Sequence, residues 1–234
     1  MLLALLLAPA AATAEPIAAN HYRLTLPVEA ATTVHDGQVR LLPTAGKLCR
    51  DRVPIFGAYR ITVAENAALA LEQELVCFSP ADAPPATEGE PDPLRQQAAL
   101  ASSYAYLAAK DSGRYADAYA VVSDRLRERA PFPQWTARAE EFTAVAGAPR
   151  GRRITEVTWY DNPPDAPEPG RYVAADFSAD FAGLEFACGY LMWRVEPDGS
   201  FRLVREEQNF IEKKKNGIAS LDREPLRAQM GCKD

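Results

Sequence analysis

The sequence predicts an α+β fold, in which helices pack on an antiparallel sheet and a small β-rich unit precedes them. Three consecutive strand-like runs occupy residues 171–211, and the Asp198-Gly199 step between the last two is typical of a β-hairpin turn. Residues 94–146, which come before these strands, space their apolar side chains as amphipathic helices do. Helices followed by an antiparallel sheet define the α+β class.

Composition limits the classes of partner. The chain has 234 residues, 47% of them hydrophobic, which is enough for one large core or two modest ones. Its net charge is −6 and no long block of like charges occurs, so neither nucleic acid nor an anionic membrane surface is expected as a partner. The basic runs at 149–153 and 213–215 are too short to change that expectation.

The N-terminal segment predicts export. Leu2–Ala12 is apolar but too short to span a bilayer, and Ala12-Thr13-Ala14 is a small-x-small cleavage pattern. We therefore expect a signal peptide over residues 1–14; a buried N-terminal helix is the alternative. Because no basic segment precedes the apolar run, either the true start lies upstream or the α-amino group supplies the charge. No second apolar segment follows, so we expect a soluble mature protein without a membrane span, periplasmic or secreted.

The cysteines indicate an oxidising compartment. The chain has four of them, an even number that favours two disulfides in an exported protein, and four cysteines allow three pairings. We expect Cys49 to pair with Cys77, because both lie in the first half of the chain. The second pair is then Cys188 with Cys232, both in the second half.

Histidine and cysteine do not form a metal-binding pattern in this sequence. No C-x-x-C spacing occurs, and the two histidines, His21 and His35, lie far from the second cysteine pair, so neither a metal nor a cofactor is predicted. His35 and Asp36 are adjacent, but a catalytic pair would need a nucleophile nearby. We interpret them as an exposed turn.

A proline-rich segment divides the chain. Residues 79–92 lack apolar periodicity and have the composition of an exposed linker, which few contacts should cross. We expect a small β-rich domain over residues 15–78, an α+β domain over 93–212 and a C-terminal tail over 213–234. The strands predicted in the first domain are Tyr22–Val28, Gln38–Leu42, Gly57–Ala64 and Ala67–Phe78. By composition, Ala67–Phe78 also suits a helix.

Capping signals delimit the elements of the second half. Asp92 followed by Pro93 suits the start of a helix. Gly113 and Gly147 suit the ends of two helices. The predicted helices and the strand that follows them are 94–110, 114–122, 123–129, 133–146 and 154–160.

Several segments of the second half resemble a known family. They are SGRYADAY (Ser112–Tyr119), Trp135, AGAPRGRRI (Ala146–Ile154), RYVAADFSADF (Arg171–Phe181), Glu185 and DGSFRLV (Asp198–Val204). On these segments, residues 93–211 resemble the domain of unknown function 4019, and they depart from it where Tyr119 and Phe201 replace its usual tryptophans. The resemblance implies an exported bacterial protein with a curved sheet, of the nuclear-transport-factor-2-like or cystatin-like cone type. It implies no activity, because the family has none established.

The strands also allow a predicted register. If residues 182–183 form a two-residue turn, Ala175 lies opposite Tyr190. The face that carries Ala175 is then apolar and lacks a carboxylate or histidine for acid–base chemistry. Asp176 and Asp180 fall on the other face, where we expect them to be solvated, so catalysis is not predicted.

Two sets of residues are candidates for binding. Tyr104, on the first helix of the second half, and Tyr190 are expected to line any cavity between helix and sheet; the alternative is a filled core. Tyr172, Leu191 and Trp193 are expected to cluster on the outer face of the sheet, where an apolar patch marks a docking surface. The alternative is that the N-terminal unit or the tail covers this patch.

Two functional hypotheses follow. The first is a non-enzymatic exported module that binds an unknown protein, or a second copy of itself, in the bacterial envelope. The second is a small-ligand-binding protein or a cone-fold enzyme, of isomerase or dehydratase type, with an apolar cavity. The lack of histidine in the second half, and of carboxylates on its predicted inner face, favours the first.

Overall fold

The computed structural model of the chain describes residues 11–63, 67–83, 92–213 and 223–232, and its centre is one open antiparallel sheet. The strands that these residues form are β1 (Thr13–Ala18), β2 (His21–Val28), β3 (Val53–Val63), β4 (Leu69–Phe78), β5 (Pro149–Asp161), β6 (Arg171–Phe181), β7 (Leu184–Val195) and β8 (Phe201–Glu212). The helices are α1 (Val34–Cys49), α2 (Pro93–Asp111), α3 (Tyr115–Ala120), α4 (Asp124–Arg129), α5 (Phe132–Ala146) and α6 (Arg223–Gln229), and Pro80–Asp82 form a short 3-10 turn.

The strand order in the sheet is β1-β2-β4-β3-β5-β6-β7-β8, and each pair of neighbours is antiparallel. A large antiparallel sheet with several helices confirms the predicted α+β organisation at this level. Within the described residues, none of the helices is long and apolar enough to cross a membrane.

The first half contains a helix where the sequence predicts a strand. Gln38–Leu42 lies inside α1, because so short a run does not distinguish the two periods and a helix start precedes it. The Thr33 side chain accepts a hydrogen bond from the Asp36 N–H, and the Asp36 carboxylate accepts one from the Thr33 N–H, which forms a capping box. His35 and Asp36 therefore open a helix, and the predicted turn there is wrong. The other three predicted strands are confirmed as β2, β3 and β4.

The two halves of the chain share the sheet. β3 pairs with β5 at two positions, Tyr59 opposite Arg152 and Arg60 opposite Gly151. Beyond these two pairs, no further pairing joins the two strands within the described residues. The junction between the halves is therefore narrow, but it is continuous.

Helix α2 packs on both halves. Its Leu107 belongs to the apolar core of the second half and its Ala108 to that of the first. The expectation that few contacts cross the predicted linker is therefore corrected; residues 84–91 of that linker lie outside the described residues. The division into domains at 15–78 and 93–212 stays a prediction.

Two helices of the second half begin at a side-chain cap, and the cap of α2 confirms the prediction. The Asp92 side chain accepts a hydrogen bond from the Leu94 N–H (2.9 Å) at the start of α2. Ser123 does the same for the Leu126 N–H (3.4 Å) at the start of α4. Gly147 follows α5 with a φ of 71°, a left-handed conformation that favours glycine. Strand β5 starts earlier than predicted.

The register between β6 and β7 differs by one residue from the prediction. Ala175 lies opposite Leu191 and not opposite its predicted partner. Residues 182–183 form the turn between the two strands, and the Gly183 N–H donates to the Ala146 carbonyl (2.7 Å), so the end of α5 contacts this turn. Because side chains alternate along a strand, the shift places Leu191 and Trp193 on the face that α2 covers. We call that face of β5–β8 the inner face and the opposite one the outer face.

The two predicted disulfides are confirmed. Cys49, at the end of α1, is bonded to Cys77 in β4, with their Cα atoms 4.9 Å apart. Cys188, in β7, is bonded to Cys232, with their Cα atoms 5.6 Å apart. In the chain-entropy account each bond stabilises the fold by about 3–4 kcal/mol. The second one fastens the segment that follows α6 to the sheet.

Candidate functional site

The predicted docking surface does not exist, because its three residues are buried. Tyr172, Leu191 and Trp193 are 1%, 0% and 0% exposed. The register shift explains the error for Leu191 and Trp193, which belong to the inner core. There the Trp193 indole N–H donates to the Ser103 hydroxyl (3.0 Å), and its ring packs edge-on against Tyr106 (5.8 Å between centroids).

Tyr172 lies on the outer face, but residues 162–170, which connect β5 to β6, cover it. Its hydroxyl donates to the Glu168 carbonyl (2.8 Å). Asp176, also on the outer face, is half-buried opposite Tyr190, whereas Asp180 is exposed.

The two tyrosines predicted to line a cavity lie on opposite faces of the sheet, so they form no common pocket. The Tyr104 hydroxyl, on α2, accepts a hydrogen bond from the Ile154 N–H (2.9 Å), and burial raises the pKa of Tyr104 to about 12. The Tyr190 hydroxyl donates to Glu207 (3.1 Å) on the outer face, where the Arg205 guanidinium lies over its ring (5.4 Å). Tyr104 lies on the side of the sheet where it is predicted. Tyr190 does not, because the one-residue register shift moves its side chain to the outer face.

A group of buried charged and phenolic side chains lies between α2 and the sheet. We call it the ion cluster; its members are Tyr59, Tyr106, Lys110, Asp111, Arg152 and Glu206. Sequence analysis did not find it, because its members come from α2 and from three strands that are distant in sequence.

The first half of the ion cluster is centred on Asp111, the last residue of α2. Arg152 Nε and Nη2 each donate to its carboxylate at 2.8 Å, and the Tyr59 hydroxyl donates to it as well. The Arg152 and Asp111 side chains are only 1% and 4% exposed. The guanidinium of Arg152 also lies over the rings of Phe177 and Phe181, at 5.1 and 4.8 Å, which suits a desolvated cation.

The second half of the ion cluster is centred on Glu206 in β8. Its carboxylate accepts hydrogen bonds from Lys110 Nζ and from the Tyr106 hydroxyl, both at 2.6 Å. The inner face therefore does carry a carboxylate, although not on β6 or β7. The bulge of β8 opposite Met192 and Trp193 shifts the alternation of side chains and turns Glu206 inward.

The ion cluster is not poised for proton transfer near neutral pH. Burial raises the pKa of Tyr59 and of Tyr106 well above the ordinary value for a phenol, and the adjacent carboxylates add to the effect. Burial alone would raise the pKa of Glu206, but the charge of Lys110 and the hydrogen bonds outweigh it and hold this pKa below its usual value. A general acid or base needs a pKa near the working pH, so this geometry is structural.

No metal site accompanies the ion cluster. Within the described ranges, no group of three or more His, Cys, Asp or Glu side chains is placed to hold a metal ion.

A groove on the outer face is the second candidate site. It lies between α4, the connection at residues 162–170 and the β7–β8 hairpin, with a cavity volume of about 1120 Å³. The half-buried Met192 contributes apolar surface to it, and the buried Tyr172 also lies along it. We call the side formed by α4 and Arg202 the basic wall, and the side formed by residues 163–168 and the hairpin the acidic wall.

The basic wall carries two arginines that meet at one carbonyl oxygen. Arg127 donates to the carbonyls of Tyr119 (3.0 Å) and Ala120 (2.8 Å) at the end of α3, and Arg202 donates to the same Ala120 carbonyl (3.0 Å). The Arg127 guanidinium also lies over the Tyr119 ring (5.1 Å). Among the described residues, no carboxylate lies within ion-pair distance of either guanidinium. Arg125 and Arg129 of α4 also line this wall, together with one carboxylate, that of Asp124.

The acidic wall contains one arginine whose charge is neutralised. Arg194 contacts the carboxylates of Glu168 and Glu196, the latter at 2.9 Å. Asp165 and Asp198 add further negative charge to this side. The two walls are connected by Arg125, which donates to the Pro167 carbonyl (3.3 Å).

A family model matches part of the chain. Residues 102–205 match the family described as a protein of unknown function (DUF4019), which confirms the resemblance drawn from the sequence. The match covers α3, α4 and β5–β7, and so includes most of both groove walls. Neither the curated proteins nor the solved structures contain a match to the chain.

Proposed function

Because the family matched by residues 102–205 has no known function, we propose from the geometry that this chain is a non-catalytic binding protein that works outside the cytoplasm, and that the groove is its binding face. The observation that carries the proposal is the groove itself, whose charged walls stand on a helix, a hairpin and a connection pinned by Arg125 and Tyr172. Convergent polar groups around a concave surface are typical of binding sites. The partner that we propose is a protein, either a different one or a second copy of this chain.

The two disulfides support a location outside the cytoplasm, where such bonds form and persist. We propose a signal peptide over residues 1–14 and a periplasmic or secreted mature protein in a bacterial envelope. Cleavage after Ala14 would fall within β1, an edge strand whose six residues are all exposed. Of the described residues in β1, such cleavage would remove Thr13 and Ala14, which form two of the five residue pairs between β1 and β2.

For residues 93–212 we propose the cystatin-like cone. The position of α2 across the inner face of β5–β8 supports it, as do the hydrogen bonds that the indoles of Trp159 and Trp193 donate to Gln96 and Ser103 of this helix. The alternative function, a small-ligand protein or cone-fold enzyme, has less support, because Tyr104 and Tyr190 share no cavity and the ion cluster is not poised for proton transfer near neutral pH.

A peptide library tests the proposed function. The mature protein, with its disulfides intact, is used to select binders from a displayed library of random peptides. Ala166, half-buried in the groove, is then changed to Trp to fill it; Ala137, exposed on α5 and outside the groove, is changed to Trp as the matched control. We expect Ala166→Trp to abolish binding of the selected peptides and Ala137→Trp to leave it unchanged. Peptides that bind all three proteins equally, or a library without binders, would refute the groove as the binding face.

A further inference from the structure

The arginine pair of the basic wall is an unusual arrangement. Arg127 and Arg202 donate to the same Ala120 carbonyl, so their guanidinium groups are close neighbours although their charges repel. Elsewhere in the groove, the charge of Arg194 is neutralised by two carboxylates. A carbonyl carries only a partial negative charge, so the pair keeps the capacity to bind an anion.

The chemistry of the pair favours a carboxylate or phosphate oxygen. A guanidinium offers planar pairs of N–H donors that match such anions, and hydrogen bonds between two ions are stronger than those between neutral groups. Arg127 is oriented by its second hydrogen bond, to Tyr119, and by the tyrosine ring beneath it. Arg129, on the last turn of α4, adds a further positive charge.

The opposite wall decides which class of anion fits. Asp165, Glu168, Glu196 and Asp198 line it; Arg194 is neutralised there, and Arg205, which also lines the groove, is paired with Glu207. A uniformly anionic polymer, such as a nucleic acid or a polyphosphate, would be attracted to the basic wall and repelled by the acidic wall. A peptide segment with both signs of charge complements both walls.

The size of the groove agrees with an extended ligand. Its volume of about 1120 Å³ exceeds the roughly 300–1,000 Å³ that is typical of pockets for small molecules. The groove is open along the outer face, and an extended peptide can lie between its walls without entering the core.

We propose that the groove binds a peptide segment carrying both acidic and basic residues, and that Arg127 and Arg202 together hold the carboxylate of an acidic residue. The inference rests on the proposed function and names its ligand class. Binding orients the segment, with its acidic residue at α4 and its basic residue at the β7–β8 hairpin.

Fluorescence anisotropy tests the orientation and the role of the pair. The probes are a labelled peptide with a block of Glu followed by a block of Lys, the same peptide with Gln in place of Glu, and an all-Glu peptide. The proteins are the wild type, the double variant Arg127→Gln/Arg202→Gln, and Arg40→Gln. Arg40 is the matched control, because it is an exposed arginine that donates to a backbone carbonyl, that of Pro27, outside the groove.

We expect the Glu/Lys peptide to bind the wild type most tightly, and the double variant to lose about tenfold or more in affinity, as two charge-assisted hydrogen bonds predict. Replacing Glu by Gln in the peptide should cost the same factor on the wild type and nothing further on the double variant. Arg40→Gln should bind as the wild type does. Far-ultraviolet circular dichroism verifies that the double variant is folded.

Two results would overturn the inference. One is equal affinity of the wild type and the double variant for the Glu/Lys peptide; the other is tighter binding of the all-Glu peptide. Library peptides could bind in the groove, lack acidic residues and bind the double variant as tightly as the wild type. In that case the inference fails and the proposed function stands. If no peptide, from the library or among the probes, depends on an open groove, both fail.

Discussion

The arginines on the two faces of the sheet have opposite environments. On the inner face, Arg152 is nearly inaccessible to solvent and is bound through two nitrogens to the Asp111 carboxylate. On the outer face, Arg127 and Arg202 donate to backbone carbonyls, Arg127 also lies over the Tyr119 ring, and neither is paired with a carboxylate of the described residues. A buried charge without a partner is strongly destabilising, whereas an exposed one costs little.

The difference in environment corresponds to a difference in role, stability for the inner arginine and, as we propose, binding for the outer pair. The inner arginine satisfies its charge within the fold and so joins α2 to both halves of the sheet. The outer arginines have no carboxylate partner among the described residues, and we propose that they bind a group outside the chain. Predictions about stability therefore concern the inner face, and predictions about binding concern the outer one.

The largest expected effect comes from removing Asp111. Asp111→Ala leaves Arg152 and Tyr59 buried without their partner and should lower the free energy of unfolding by about 3–5 kcal/mol. Urea denaturation followed by tryptophan fluorescence measures it. The control is Asp161→Ala, which removes the exposed partner of Arg171 and should change the unfolding midpoint hardly at all. Equal losses in the two variants would contradict the contrast between the faces.

A smaller effect is expected when both charges of the inner pair are removed. In Asp111→Leu/Arg152→Met no buried ion is left alone, so the double variant should lose about 1–3 kcal/mol, mainly for the Tyr59 hydroxyl without its acceptor. A double-mutant cycle in urea gives the coupling between the two positions. If the double variant instead loses the sum of the two single losses, the pair does not act as a unit.

Glu206 makes part of the stability dependent on pH. Its pKa is lowered in the fold, so the ionised carboxylate stabilises the fold above the ordinary glutamate pKa of about 4.3, and this contribution disappears as the pH falls through the lowered value. Glu206→Gln should therefore cost about 1–3 kcal/mol near neutral pH, and the difference from the wild type should shrink in acid. Urea titrations at a series of pH values provide the measurement. A difference that is constant across the series would mean that Lys110 and Glu206 do not interact as an ion pair.

The smallest effect on stability is expected on the outer face. Arg127→Gln/Arg202→Gln should change the free energy of unfolding by about 1 kcal/mol or less, because Arg202 is exposed, Arg127 is half-buried and neither loses a charged partner. The same variant should lose peptide binding, which separates the two roles of arginine in one protein. A large loss of stability in this variant would assign the outer pair to the fold and not to recognition.

Local sequence patterns predicted the elements that depend on local chemistry. The alternation of β2 and β4, the Asp92 cap of α2 and the Asp198-Gly199 hairpin are all determined within a few residues. Helix α1 was missed although Thr33 and Asp36 have the spacing of a capping box, so its signal was present in the sequence.

The sites depend on contacts that no local pattern contains. The register of β6 and β7 is determined by how Gly183 meets the end of α5, and a Cβ at that position would lie 2.6 Å from the Val145 carbonyl oxygen. The β8 bulge puts Leu203 and Glu206 on the same face although their spacing is odd. Arg152, which belongs to a short basic run in the sequence, is buried because Asp111 approaches it from a separate element.

The narrow junction between β3 and β5 has a consequence for the order of folding. The second half closes its own strands across short connections, whereas pairing Tyr59 with Arg152 requires closure of a long loop, which is costly in chain entropy and slow. We therefore expect the bond between Arg152 and Asp111 to form after the transition state for folding. Weakening this bond should then accelerate unfolding and leave the refolding rate nearly unchanged. We therefore expect the buried pair to determine how long the chain stays folded.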